Sequence, residues 1–171
     1  LEYDPDDLTA NVGLGNIYND FNQYEKAYNC YKKILDIYPD NKEVAVYVAK
    51  ALVKMGDKNE AFKFFEKALT LEGSNYDVYV DYAIARGEFK YFDEAIELYN
   101  KAIEDEPKNH TAYLLLGNLY YDLGEYQKAV DLYEKAIQFN YKDTLAHMSQ
   151  ANAYYMLNQM DRALVEYRDA M

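Results

Sequence analysis

The sequence predicts an all-α solenoid of stacked helix pairs, and three regularities predict it. Ala27, Ala61, Ala95, Ala129 and Ala163 stand 34 residues apart without a break. An aromatic follows each by four residues: Tyr31, Phe65, Tyr99, Tyr133 and Tyr167. Asp7, Asn41, Asn75, Asn109 and Asp143 keep the same period. A fixed period of this length marks a stacked-repeat array. In such an array each unit contacts mainly its neighbours, so the fold is close to one-dimensional.

Each period reads as two helices and a turn. Asn and Asp cap helix N-termini by accepting a hydrogen bond from an unpaired backbone N–H. The Asn/Asp column therefore opens the first helix of every unit. Gly15, Ala49, Ala83, Gly117 and Ala151 form a column of small residues that lets the second helix approach closely. Tyr18, Leu52, Tyr120 and Tyr154 form another, broken only by Arg86. The fourth unit shows the pattern best, with a first helix over residues 110–122, a turn at Leu123-Gly124-Glu125, and a second helix over 126–139. Ala129, Tyr133 and Ala136 then fall on one helical face. Each helix is about 20 Å long at 1.5 Å per residue. Pro39 and Pro107 follow second helices, where proline stops further helix. Gly73 and Tyr141 replace proline at corresponding places, which predicts less rigid junctions there.

Composition bounds the function. Thirty acidic against eighteen basic residues give a net charge of −12. That field repels phosphate backbones and argues against nucleic acid as a partner. No apolar run approaches the roughly 20 residues of a membrane span. Cys30 is the single cysteine, so no intrachain disulfide forms. This fits a reducing compartment, with the cytoplasm favoured.

The small–aromatic–small pattern of Gly15, Tyr18, Ala27, Tyr31 and Pro39, and of Gly117, Tyr120, Gly124, Tyr126, Ala129, Tyr133 and Ala136, resembles the tetratricopeptide repeat family. The resemblance runs from Leu8 to Met171. It implies antiparallel helix pairs wound into a right-handed superhelix, with first helices lining the concave face. Five repeats are expected, at 8–41, 42–75, 76–109, 110–143 and 144–171. Arg86 and Gly87 depart from the pattern and are expected to weaken the end of the third unit's first helix. Residues 1–7 match the end of a unit, so they are expected to be the tail of a preceding truncated repeat. No polar capping helix follows Met171, so the chain reads as an excised piece of a longer array.

Enzyme chemistry finds little material. His110 and His147 have no recognisable nucleophile or metal partner in the sequence. His147 reads as a packed structural residue, and Cys30 as an inert packing thiol. Glu104-Asp105-Glu106 sits at a helix end and reads as a solvated turn. Asp4, Asp6 and Asp7 resemble a calcium-loop fragment but lack its glycine and distal glutamate. Neither a Gly-rich phosphate loop nor any catalytic, cofactor or metal residue is assigned. About two-thirds of the tyrosines are expected in the core, with ring buried and hydroxyl at a polar partner.

Function is therefore sought where first helices face the groove. Helical spacing puts Val12, Asn16, Asn19 and Asp20 there, then Glu43, Val46, Tyr47, Lys50 and Lys54. Asp77, Val80, Asp81, Ile84 and Glu88 follow in the third unit. The fourth offers Thr111, Leu114, Leu115, Asn118, Tyr121 and Asp122, and the fifth Leu145, Met148, Ser149, Asn152, Tyr155 and Met156. Asn16, Asn118 and Asn152 occupy equivalent places. Their amides both donate and accept, so they can hold an extended backbone without reading its side chains. Asp77, Asp81 and Glu88 make the middle of the groove acidic. Some family members clamp terminal carboxylates of chaperone tails with basic residues; Asp77 and Asp81 stand where those would be needed, which argues against such a clamp.

The expected function is a scaffold that binds a neutral or basic peptide or helical segment of a partner protein. Asparagines would contact its backbone, and Tyr121, Leu114 and Tyr155 would anchor it. Tyr47, Lys50, Lys54 and Asp81 complete the expected groove set. The alternatives are end-to-end self-assembly through uncapped repeats, or an accessory region of a larger enzyme.

Overall fold

The computed structural model describes residues 8–171. The preceding-repeat tail, the cap at Asp7 and the acidic fragment at Asp4, Asp6 and Asp7 lie outside the described residues. Among the described residues the chain forms ten α-helices and no strand. They are α1 (Leu8–Asp20), α2 (Tyr24–Ile37), α3 (Lys42–Met55), α4 (Lys58–Thr70), α5 (Tyr76–Glu88), α6 (Phe92–Asp105), α7 (His110–Asp122), α8 (Tyr126–Phe139), α9 (Thr144–Met156) and α10 (Met160–Asp169). The odd-numbered helices start at Leu8, Lys42, Tyr76, His110 and Thr144, repeating the 34-residue period of the sequence.

The chain divides into two compact units, Leu1–Ala85 and Arg86–Met171. In the first, α1 packs on α2, α2 on α3 and α3 on α4. In the second, α6 packs on α7, α7 on α8, α8 on α9 and α9 on α10. Contact order therefore follows chain order within each unit, as a helix-pair array requires.

Helix starts follow the Asn/Asp column. Asn41 Oδ1 accepts from the Val44 N–H at 3.0 Å. Asn109 Oδ1 accepts from Thr111 at 3.2 Å, and Asp143 Oδ1 from Leu145 and Ala146 at 3.0 and 3.2 Å. Each such cap contributes about 1 kcal/mol. Asn75 Oδ1 accepts from Lys42 Nζ at 2.5 Å. The same ammonium lies 3.2, 3.1 and 2.9 Å from the carbonyls of Leu71, Gly73 and Ser74. A cation from α3 thus sits on the carbonyl-rich end of α4, where a helix dipole favours positive charge. It fastens the junction at which Gly73 stands in place of proline.

Turns inside the pairs share one geometry. Asn22, Gly56, Lys90, Gly124 and Asn158 all have positive φ, between 57 and 83°. The N–H of the following residue closes a wider loop onto Tyr18, Leu52, Arg86, Tyr120 and Tyr154 respectively, at 2.8–3.0 Å. This is the Schellman ending of a helix, which needs one left-handed residue. Arg86 breaks the apolar column but keeps the bond, since only its carbonyl is used. α5 is accordingly not shortened. It runs through Arg86 and Gly87 to Glu88, 13 residues like α1, α7 and α9. The expected weakening is thus corrected: the turn closes through backbone groups, and the Arg86 side chain lies over the Tyr91 ring at 5.6 Å.

Side-chain packing explains the two remaining columns. Ala27, Ala61, Ala95, Ala129 and Ala163 are all buried, and so are Tyr31, Phe65, Tyr99 and Tyr133. Tyr167 on α10 is the exception, at 37% exposure. Tyr31 and Tyr133 are directed at the small residue of their paired first helix. A Cβ added at Gly15 would lie 2.3 Å from the Tyr31 ring, and one at Gly117 would lie 2.6 Å from the Tyr133 ring. Gly87 instead faces open space. Two glycine-to-alanine changes in helices should therefore have opposite signs. Gly87→Ala should stabilise by about 0.5–1 kcal/mol through helix propensity. Gly117→Ala should destabilise by about 1–3 kcal/mol through overpacking. Urea melts of the two variants against the parent chain check both.

Candidate functional site

In the first unit, a cleft of about 440 Å³ opens along α3 and α5. Val46, Val78 and Val80 give it a buried apolar floor, and Tyr47 forms a wall. Glu43, Asp77 and Asp81 place three carboxylates around it. Spacing explains the arrangement. Glu43 and Tyr47 are one turn apart on α3, and Asp77 and Asp81 one turn apart on α5, so each pair shares a face. The sequence-derived residues Tyr47, Asp81, Glu43, Val46, Asp77 and Val80 come together here.

The polar groups of this cleft are unequally committed. Tyr47 OH donates to Glu43 Oε1 at 2.5 Å. That bond, then burial and the negative fields of Glu43 and Asp81, push the phenol up to about 12. Lys50 Nζ meets both Asp81 oxygens at 2.9 and 3.1 Å, tying α3 to α5. The ammonium is half-exposed, so the pair contributes no more than about 1 kcal/mol. Asp77 is exposed and carries no side-chain partner among the described residues. Lys54 is exposed toward the end of α3 and is not part of the cleft lining.

The asparagines are more deeply tied to the core than their sequence positions reveal. Tyr31 OH donates to Asn16 Oδ1 at 2.7 Å. Tyr133 OH donates to Asn118 Oδ1 at 2.9 Å, and Tyr167 OH to Asn152 Oδ1 at 2.5 Å. All three pairs are 15 residues apart. The column tyrosine thus anchors an asparagine amide of the paired first helix. Each carbonyl oxygen is engaged internally, as acceptor of a tyrosine hydroxyl. At the equivalent place in the second pair Phe65 has no hydroxyl, and the residue is Lys50 rather than asparagine.

In the second unit the expected anchors differ in exposure. Leu114 and Tyr121 pack against the buried cluster of Ala129, Val130, Tyr133 and Ala153, and Tyr121 meets the Tyr126 ring edge-on at 5.3 Å. On α9, Leu145, Met148, Tyr155 and Met156 are well exposed, at 65, 44, 55 and 42%. Asn152 lies among them. These positions follow helical spacing and form one stripe, while Ala146, Gln150, Ala151 and Ala153 point into the core.

One cluster escaped the sequence reading. His147 is buried. Its Nδ1 lies 2.8 Å from Glu166 Oε2 on α10, and its Nε2 lies 3.0 Å from the Tyr141 carbonyl. Both partners are acceptors, so the ring fits best with a proton on each nitrogen. With Asp169, these groups bring three donor atoms within 4.8 Å, the set that could hold a cation among the described residues. Nδ1 and Glu166 already satisfy each other there. Nothing repetitive signals this pair: the position of Glu166 holds Leu132 one period earlier, and that of His147 holds Tyr113. Burial raises the Cys30 thiol above its usual value despite the Lys33 charge.

Two tetratricopeptide-repeat models match the chain, one over residues 89–153 and the other over 8–41 and 48–75. The chain belongs to the tetratricopeptide repeat family. Among curated protein sequences, none matches it. Among solved structures, the tetratricopeptide array is similar to MamA, at 26% identity over 95% of this chain and 88% of that one, with a TM-score of 0.73. A second MamA crystal structure gives 25% identity, 99 and 94% coverage, and a TM-score of 0.75. Pseudomonas aeruginosa PilF shares the fold at a TM-score of 0.81 and 21% identity, over 95% of this chain and 74% of that one. Family and fold together support a protein-interaction scaffold, and tetratricopeptide-repeat proteins are typically non-catalytic. Among the described residues, no helix is long and apolar enough to cross a membrane.

The His147 cluster predicts a pH dependence. Burial pulls the imidazole down, but the hydrogen bonds to Glu166 and Tyr141 and the charges of Glu166 and Asp169 outweigh it, leaving it above its usual value of 6.5. A raised folded value stabilises fully below about pH 6.5, and that contribution is lost as pH rises through the folded value. Thermal stability should therefore fall from pH 6 to pH 8.5, and His147→Gln should flatten that slope.

Proposed function

We propose that this tetratricopeptide array holds a segment of a partner protein against the exposed faces of its first helices. The observation that carries this reading is the α9 stripe. Leu145, Met148, Tyr155 and Met156 leave apolar surface open around Asn152, on a helix whose other face is core. Contiguous exposed apolar surface marks an interaction site, and adaptable methionine beside a rigid tyrosine suits a hydrophobic segment. Asn152 and Asn118 offer N–H donors to a ligand's backbone carbonyls, their own oxygens being held by Tyr167 and Tyr133. An extended segment advances about 3.3 Å per residue and helices pack 8–10 Å apart, so each pair addresses about three ligand residues. The acidic surface favours neutral or basic segments. Titration with a peptide library tests this: Tyr155→Ala should weaken the best binders about tenfold or more, with Asn152→Ala in the same direction. Binding unchanged in both variants rejects the groove.

A second reading, self-association, rests on a comparison of equivalent positions. Leu14 and Ile17 on α1 are exposed, whereas Val48, Tyr82 and Leu116, and Ala51, Ala85 and Ala153, at the same places in other pairs are buried or nearly so. Leu164 on α10 is 55% exposed, whereas its counterpart Val130 is buried. In this reading the α10 face of one copy packs on the α1 face of another, a heterologous contact. Light scattering across a concentration series should then report growing mass, abolished by Leu164→Glu; a constant monomer mass rejects it.

A further inference from the structure

From the α3–α5 cleft we infer a receptor for one arginine side chain of the partner segment. The inference rests on the reading above that first-helix faces hold a partner segment, and concerns the first unit by itself. The cleft has an apolar floor at Val46 and Val80 and a volume of about 440 Å³, room enough for one side chain. Its rim is negative. Asp77 has no side-chain partner among the described residues, and Glu43 accepts only the Tyr47 hydroxyl.

The cations nearest this rim are already used. Lys42 is held by the end of α4 and by Asn75. Lys50 is held by both oxygens of Asp81. Carboxylates converging on one cleft repel one another, and a cation between them relieves that repulsion. Charge complementarity thus selects a basic occupant.

Geometry selects arginine over lysine. Carboxylates on two facing helices present acceptors in more than one direction. A guanidinium is planar and carries five N–H donors in a fixed fork, which suits such a set and leaves its flat face for an aromatic ring. Tyr47 supplies that ring at the wall. The three methylenes of an arginine stem lie well on valines while the head stays polar. A lysine ammonium would satisfy the charge but use neither the fork nor the ring.

The test is a positional-scanning library of acetylated nonapeptides, read by fluorescence anisotropy on the purified chain. The binders should be enriched in arginine at one position. Replacing that arginine by citrulline, which keeps the shape and removes the charge, should weaken binding about tenfold. The double variant Glu43→Gln, Asp77→Asn should lose the same factor while leaving the Lys50–Asp81 pair intact. It should also cancel the preference for arginine over citrulline. Lysine serving equally at that position overturns the arginine assignment. Binders without a basic residue, insensitive to Glu43→Gln, Asp77→Asn but lost with Tyr155→Ala, overturn the cleft and leave the groove reading standing. A library with no binder at all overturns both.

Discussion

The contact between a second-helix aromatic and the small residue of its paired first helix sets the rest of the structure. At Gly15 and Gly117 the ring sits so close that even a methyl group would collide with it. In these two pairs that approach brings the helices near enough to bury Ala27 and Ala129. In three pairs the second-helix tyrosine also donates its hydroxyl to an asparagine of the first helix. A buried phenol needs a polar partner, and the asparagine meets that need. At Tyr31 and Tyr133 the same side chain therefore spaces the helices, fills the core and holds a first-helix amide.

The turn is the second constraint, and it is imposed on the backbone. A left-handed residue recurs at Asn22, Gly56, Lys90, Gly124 and Asn158. Glycine meets it without strain, asparagine tolerates it, and lysine at position 90 carries a steric cost. That cost is outweighed because two backbone hydrogen bonds close the same turn, from Lys90 N to Gly87 O and from Tyr91 N to Arg86 O. Side-chain identity there is consequently freer than in the aromatic column, which is why Arg86 can replace an aromatic without ending its helix early.

Much of the fold was legible because it is periodic. The alanine, aromatic and asparagine columns mark helix faces and starts, and α7 and α8 span the residues the spacing predicts. What stayed hidden was long-range and unrepeated. Lys50 meets Asp81 across 31 residues, and Lys42 reaches Asn75 across 33. His147 pairs with Glu166 at positions that are Tyr113 and Leu132 one period earlier. Period analysis averages such pairs away. The asparagines fall between these cases. Their shared position was readable, and so in principle was the tyrosine 15 residues on, but only folding shows that the two meet.

The asparagine–tyrosine link has a consequence for any mutational map of the groove. Asn16, Asn118 and Asn152 look like surface positions, the kind normally truncated to isolate affinity. Each truncation would also strip a phenol hydroxyl of an acceptor, with Tyr31 and Tyr133 both in the core. A buried donor left unmatched costs about 1–3 kcal/mol, as much as a good contact with a ligand gives. Loss of binding at Asn118 would thus mix recognition with folding, and the two separate only if the stability of each variant is measured beside its affinity. Asn152, whose tyrosine is itself partly exposed, is the position where truncation reads recognition most cleanly.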